Sequence, residues 1–431
     1  MNRYENYLET GFEWIGKIPY SWGLARVGKF FTERSEKVDD VTYPPLSVTM
    51  NGIVDQLSDV AKSNDNDNRK LVKKDDFVIN SRSDRKGSSG IAPRDGSVSL
   101  INIVLAPKNI DPKYIENLFK SYYFKEEYFR NGKGIHWDLW TTRWEQFKNI
   151  NIPIPPIEEQ KLISRYLDKK TSQIDSLVEN IQKKIEILKE QRTSLINHYV
   201  TKGLDPNVEM KDSGIEWIGE IPKHWSVKKL KNFATIFGRI GYRGYTVEDI
   251  VSEGEGSVTL GPGNIKDNKL SLLNRTYIST EKYEESPEIQ IFLNDIIFVK
   301  TGSTIGKSCI IEEQFETMTL NPQMIVLKEI TINNKFFYYQ SITQFFQNYF
   351  ETEKVGGSTP TISQDKIRNF PMLNVPTTEQ KEIVELLNHR TTRIEQTIGI
   401  NEQKLKLINE YRQSLISSVV TGKVRVTEDM I

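Results

Sequence analysis

Three short stretches carry residues whose type and spacing could do chemistry. Gly-Ser-Thr-Ile-Gly-Lys-Ser at 302–308 has the glycines, lysine and hydroxyl of a phosphate-binding loop, in which main-chain amides cradle phosphate oxygens. That loop needs four residues between its glycines, and Gly302 and Gly306 have three, so the register fails. Asn-Pro-Gln-Met at 321–324 is near the Asn-Pro-Pro-aromatic turn with which amino-methyltransferases hold a flipped base, but Gln323 and Met324 replace the second proline and the stacking ring. Glu-Gly-Glu-Gly-Ser at 253–257 is a lone Gly-x-Gly without a strand-to-helix setting and reads as a turn. His136, His198, His224 and His389 are scattered and share no ligand spacing with the single cysteine, Cys309. No nucleophile, metal cluster or cofactor cradle emerges, and the chain reads as a binder.

Charge suggests what is bound. The chain has 58 Lys+Arg against 58 Asp+Glu, a balance that argues against a protein coating nucleic acid over its whole surface. The distribution is uneven. Arg69–Arg94 holds eight basic residues and three acidic ones, and Lys223–Val247 holds six basic and none acidic, interleaved with Phe233, Phe237, Tyr242 and Tyr245. Local basic patches with aromatics suit nucleic acid, although solvated surface lysines give the same pattern. One cysteine and no long apolar run at the start lead us to expect a reducing cytoplasm and no membrane span.

The elements that must position these residues are written twice. Gly11–Trp22 (GFEWIGKIPYSW) recurs as Gly214–Trp225 (GIEWIGEIPKHW), eight of twelve positions being identical at an offset of 203. IPIPPIEEQKLISRYLD at 152–168 recurs as FPMLNVPTTEQKEIVELLN at 370–388, with Glu159-Gln160-Lys161 matching Glu379-Gln380-Lys381 at an offset of 220. The framing phrases are alike, while the stretch between them is 17 residues longer in the second copy.

After each proline-containing stop runs a long segment, 158–201 and 378–421, the first without Pro or Gly. Leu167, Ile174, Ile181, Leu188 and Leu195 fall seven apart, with Leu177, Val178, Ile185 and Tyr199 broadening the stripe; Leu387, Ile394, Asn401, Ile408 and Leu415 hold the same places in the second copy, where Gly399 and Asn401 weaken the seam. Each segment predicts a helix of roughly 65 Å whose stripe packs on the other. The inserts predict compact mixed domains. Strands are expected at 75–82, 97–105, 294–301 and 323–328, and an aromatic helix follows in each, the first capped by Asp111 with Pro112 in its opening turn. The aromatics are expected in the core.

The order WIGxIPxxW, variable domain, PxPPxxEQ and long helix, then the same again, resembles the specificity (S) subunit of type I restriction-modification systems, over essentially all 431 residues. The resemblance implies an α+β protein with two mixed α/β target-recognition domains separated by a long antiparallel two-helix coiled coil, a pseudo-two-fold internal repeat. The expected divisions are a first recognition domain at 1–151, a first helix at 152–201, a linker at 202–213, a second domain at 214–370, a second helix at 371–421 and a tail at 422–431. It implies no activity in this chain. Double-stranded DNA, two modification subunits and up to two restriction subunits would be the partners; S-adenosylmethionine, ATP and Mg would belong to those subunits and none to this chain.

On this reading the framing phrases repeat because they build the symmetric coiled coil, and the inserts differ because each reads a different half-site. DNA reading should fall to polar and basic loops. In the first domain these are Ser81, Arg82, Arg85, Lys86, Ser88 and Arg94, then Lys133, His136 and Arg143. In the second they are Arg239, Tyr242, Arg243 and Tyr245, then Lys300, Thr301, Ser303 and Lys307, with Ser358 and Thr359. Trp14, Trp22, Trp217 and Trp225 are expected to clamp each domain to the adjoining helix end. Two other classes stay open: a rod-like scaffold that never touches DNA, and a methyltransferase or nuclease with an unrecognised active site.

Overall fold

The computed structural model describes residues 2–57, 68–134, 140–239, 244–314 and 316–431. The chain forms two compact units, Met1–Lys183 with Asn401–Ile431, and Lys184–Ile400. Two helices, Ile157–Lys202 of 46 residues and Thr377–Val420 of 44, each contribute one part to either unit. Among the described residues no helix is long and apolar enough to cross a membrane.

Each long helix begins just after a proline. The carbonyl of Pro156 accepts from the amides of Glu159 and Gln160 at 2.9 and 3.0 Å, and that of Pro376 from Gln380 at 3.0 Å. So the degraded entry of the second copy keeps the one proline that starts the turn. Carboxylates in the first turn, Glu158 and Glu159 in one helix and Glu379 in the other, suit the positive end of the helix dipole. Gly203 and Gly422 follow the last turns in the left-handed region, at φ 74° and 75°. Gly399 and Asn401 do not interrupt the second helix: Gly399 is exposed, and its cost of about 1 kcal/mol against alanine is spread over a long helix.

The seams are buried unevenly along their length. In the first unit Leu167, Ile174, Ile181, Asn401 and Leu415 are buried and Ile408 is half-buried; Leu177, expected to broaden the stripe, is 48% exposed. In the second unit Leu387 and Ile394 are buried, Leu188 and Leu195 are half-buried, and Ile185, Ile196 and Val200 take the deepest places. A helix of 3.6 residues per turn drifts against a strict seven-residue spacing, which moves the buried edge by about one residue over this length. Arg412 forks onto Asp175, at 2.6 and 3.4 Å, within the first unit, and Arg192 meets Glu395 at 3.4 Å within the second. Rising index on one helix meets falling index on the other, so the helices are antiparallel. The two arginines, and the two acids, stand 220 positions apart in the sequence.

The glutamine of each EQ pair explains its repetition. Gln160, 2% exposed, donates to Pro155 O at 2.9 Å and accepts from the amide of Asp111 at 2.9 Å. Gln380 does the same with Val375 O at 2.7 Å and the Asn333 amide at 2.9 Å. Asp111 and Asn333 in turn cap helices Pro112–Lys120 and Asn334–Ser341. One buried amide therefore ties the start of a long helix to the start of the domain's own helix.

In each domain one four-stranded sheet separates two cores. In the first unit the order is Ser89–Ile91, Phe77–Asn80, Asn102–Pro107, Phe31–Glu33, all antiparallel. Phe77 and Ile79 face the helices with Ile103 and Leu105, while Val78 and Val104 face the second layer with Val72, Val98 and Leu46. The second unit repeats this with Thr235–Phe237, Met324–Lys328, Ile296–Val299 and Ser308–Ile310: Ile296 and Phe298 enter one core, Ile297 and Val299 the other. Strand Gly23–Arg26 pairs with Asn151–Ile154, and Ser226–Lys229 with Pro371–Asn374, closing each domain just before its long helix.

Three expectations are corrected. The stretch 97–105 is two strands, Gly96–Val98 and Asn102–Pro107, in different sheets, because a turn closed by the Asn102 amide on Ser99 O at 3.0 Å intervenes. Each single aromatic helix is two, Pro112–Lys120 with Tyr122–Arg130 and Asn334–Ser341 with Gln344–Glu353. Ser121 and Thr343 bond back to the carbonyls of Leu118 and Gln340, both at 2.6 Å, offering the backbone an alternative to helix. The break lets Phe119 stack on Phe124 with centroids 4.3 Å apart. Finally, Trp14, Trp22 and Trp225 are buried, but Trp217 is 39% exposed, resting beside Tyr349 at the edge of its core.

The helix ends dock on those tryptophans. Val419 and Val420 share a core with Trp14 and Trp22, and Ile196 and Val200 share one with Trp225. A Cβ on Gly203 would stand 3.2 Å from Trp225, whereas one on Gly422 would overlap the ring of Pro19. Gly422→Ala should therefore destabilise by about 1–3 kcal/mol, from left-handed strain plus overpacking, and Gly203→Ala by about 1 kcal/mol. Thermal unfolding of the full chain measures both, and an equal or reversed ranking would refute the packing described. Cys309 is fully buried, and burial pushes its thiol up to about 12. At pH 8 only about one thiol in ten thousand is then ionised, so iodoacetamide should label the unfolded chain and spare the folded one. The sign for stability follows: the folded state holds the proton more tightly, so this contribution is lost as pH rises above the ordinary thiol value.

Candidate nucleic-acid interface

The edge where strand Phe77–Asn80 ends is shaped by main-chain bonds. Asp75 enters the strand at φ 69° and Asn294 enters its counterpart at φ 70°, the acidic or amide turn that each copy needs. Beyond the strand, the Thr142 amide donates to Ser81 O at 2.9 Å, and Lys133 and Thr141 exchange bonds of 3.1 and 3.0 Å. Arg82 and Lys133 thereby flank Thr141 on either side. In the second unit the Ile362 amide donates to Lys300 O at 3.0 Å, Val355 and Thr361 exchange bonds of 2.8 Å, and Thr301 and Val355 flank Thr361. The hydroxyls of Thr301 and Thr361 also bond at 2.9 Å. Both domains thus present the same zipped pair of loops with different side chains.

Most of the basic cluster at 69–94 is consumed inside the protein. Arg69, 8% exposed, donates to Ser97 Oγ at 2.8 Å. Lys70 meets Glu33 at 3.3 Å, Lys73 meets Asp95 at 2.9 Å, Lys86 meets Glu126 at 2.7 Å and Arg94 meets Asp55 at 2.6 Å. Lys86 also lies over the ring of Phe129, 4.5 Å from its centroid. Among the described residues Lys74, Arg82 and Arg85 form no ion pair within the chain. Ser81 is buried with its hydroxyl on Ile101 O, and Ser88 is buried; Arg82, Arg85, Lys133 and Arg143 are exposed. His136 lies outside the described residues.

In the second unit Arg239 turns inward: it is 3% exposed, donates to Leu320 O at 2.9 Å, and has Tyr245 5.7 Å away under its guanidinium. Burial lowers its pKa, and that of the half-buried Lys300 likewise. Thr301 is half-buried, Tyr245 likewise, and Ser303, Lys307, Ser358 and Thr359 are exposed. Tyr242 and Arg243 lie outside the described residues. The glycine–lysine stretch at 302–308 runs into strand Ser308–Ile310 and not into a helix, so the dipole and free amides of a phosphate loop are missing there as well.

Ser81, Arg82, Thr141 and Arg143 line a concavity of about 470 Å³ in the first unit, together with Asn102, Trp144, Leu100 and Ile101. The latter four were not singled out from sequence. Asn102 left one signal there, a lone amide inside the apolar run Leu100–Leu105. A second concavity, of about 720 Å³ in the second unit, balances Arg192, Lys269 and Lys335 against Glu312, Glu313 and Glu395 and favours neither sign of ligand. Among the described residues no group of three or more His, Cys, Asp or Glu could hold a metal ion.

Comparison with known proteins agrees with this architecture. Residues 25–187 and 222–410 match the type I restriction modification DNA specificity domain. The chain is 25% identical to the type I restriction enzyme MjaVIII specificity subunit of Methanocaldococcus jannaschii, over 97% of each chain. It is 27% identical to the EcoKI specificity subunit of Escherichia coli over 51% of this chain and 49% of that one. A solved structure described as the basis of complex assembly and conformational transition of the type I R-M system aligns with TM-score 0.69 at 13% identity, covering 94% of this chain and 99% of that one. With two copies of the domain matched and the paired long helices in place, the chain belongs to the type I restriction-modification DNA specificity family.

Proposed function

We propose that this chain selects the DNA sequence on which a type I restriction-modification complex acts, each insert domain reading one half of a bipartite, asymmetric target. The observation that carries this is the duplicated loop frame, Arg82–Thr141–Lys133 in one domain and Thr301–Thr361–Val355 in the other. A shared frame with unlike side chains is what two readers of unlike half-sites require. A scaffold that never touched DNA would have no use for it. The exposed Arg82, Arg85, Lys133 and Arg143 serve the first half-site, and Thr301, Ser303, Lys307, Ser358 and Thr359 the second. Arg69, Lys70, Lys73 and Arg239 hold the domains together instead.

The antiparallel helices would dock two modification subunits, with up to two restriction subunits joining them in the cytoplasm. S-adenosylmethionine, ATP and Mg belong to those partners, so adenine methylation and ATP-dependent cleavage are theirs. Purified alone with S-adenosylmethionine and DNA, the chain should transfer no methyl group, and sequence-specific methylation should appear on adding its modification subunit. Transfer by the chain alone would overturn the division of labour. Gel-shift titration over a salt series tests the surface. Arg82→Gln with Arg85→Gln should weaken binding and flatten the salt slope by about 0.9 for each phosphate that is no longer neutralised. Lys86→Gln with Arg94→Gln should change the slope less, because Glu126 and Asp55 already match those charges.

A further inference from the structure

The concavity in the first unit has a polarity of its own. Its rim carries two exposed guanidinium groups, Arg82 and Arg143, on the two zipped loops. Its wall is apolar, with Leu100 and Ile101 beside the half-buried Trp144. Its floor holds Asn102, 5% exposed, whose amide nitrogen donates to Ser99 O at 3.1 Å. The side-chain oxygen of Asn102 is buried and has no hydrogen-bond partner among the described residues. Lys70, the one cation near the floor, is already spent on Glu33 and on the main-chain carbonyl of Asn102 at 2.9 Å. An unpaired buried acceptor costs about 1–3 kcal/mol by desolvation, and such groups persist where a donor from outside completes them.

Donors at the rim and an acceptor at the floor form a definite pattern. In the major groove a guanine offers two acceptors, O6 and N7, and its cytosine offers an amino donor; no other base pair presents that order. We propose that this concavity is the reading slot for one guanine–cytosine pair of the first half-site, with Arg82 and Arg143 donating to guanine and Asn102 accepting from cytosine. The proposal rests on the chain being a DNA specificity subunit. Apolar walls exclude water and strengthen each of these bonds.

The second unit shows what the slot lacks when it is not built. By strand register and loop bridges, Thr301 stands for Arg82, Ser363 for Arg143 and Met324 for Asn102. Met324 is fully buried, so that frame has neither guanidinium at its rim nor a polar floor. The demand for this pair therefore belongs to one half-site only.

The test uses the full chain in complex with its modification subunits, methylating a randomised DNA library whose modified adenines are then mapped. Three variants probe the slot: Arg82→Gln and Arg143→Gln, both on exposed residues, and Asn102→Met, which installs the side chain of the second domain. All three should relax the same guanine–cytosine pair, by roughly 5- to 150-fold in preference, and leave the other half-site unchanged. Retention of wild-type preference by the rim variants, or relaxation at different pairs or at an adenine–thymine pair, overturns the slot. Methylation without sequence preference by the unaltered complex would instead overturn the reading of the chain as a specificity subunit.

Discussion

A helix of 46 residues with a narrow apolar stripe is not stable as a free rod in water, and everything else in this protein follows from how that stripe is covered. The covering surface is the other repeat's helix, run antiparallel. Each domain is then completed by chain from the other half of the sequence: the core around Trp14 and Trp22 contains Leu415, Val419 and Val420, some 400 residues away. The core around Trp225 contains Ile196 and Val200. A helix end that must fit both its own seam and another repeat's tryptophan cannot vary freely. That requirement accounts for the repeated WIG phrase, the proline entry, the EQ pair and the glycine stop better than any shared catalytic role.

The ion pairs at 220-residue spacing express the same constraint. Arg412 with Asp175 and Arg192 with Glu395 are partly exposed, so each adds at most about 1 kcal/mol. Their value lies in direction, since both satisfy their acids only when the helices are antiparallel and in this register. Glu395 also receives Lys269 from the hairpin Ile265–Leu270, a contact that has no counterpart among the ion pairs of Asp175. The longer insert of the second copy is thus partly spent on fastening its own domain to its own helix.

Charge in this chain is mainly structural. The basic cluster that suggests nucleic acid contains eight cations, and five of them are bonded to Ser97, Glu33, Asp95, Glu126 and Asp55. What is left is sparse and placed on loop ends, which suits a protein that reads a few base edges while partners supply much of the grip on DNA. The zero net charge is consistent with that division.

The sequence by itself determined the repeat, the two long helices, the central strand of each domain and the burial of the aromatic helices, because periodicity and caps act over a few residues. Heptads, a proline start and a glycine stop need no distant partner to be read. It also excluded a phosphate loop at 302–308 by spacing alone. Only the tertiary structure decided which cations face outward, because Asp55 and Glu126 lie 39 and 40 positions from Arg94 and Lys86 and no local pattern pairs them. The same holds for Arg239, drawn inward by carbonyl and hydroxyl acceptors some 80 positions away, and for Trp217, left at the edge of a core that holds its counterpart Trp14. Asn102 is the clearest case. Its place in an apolar strand was visible as an oddity, but its unpaired oxygen beneath two arginines depends on three chain segments meeting in space.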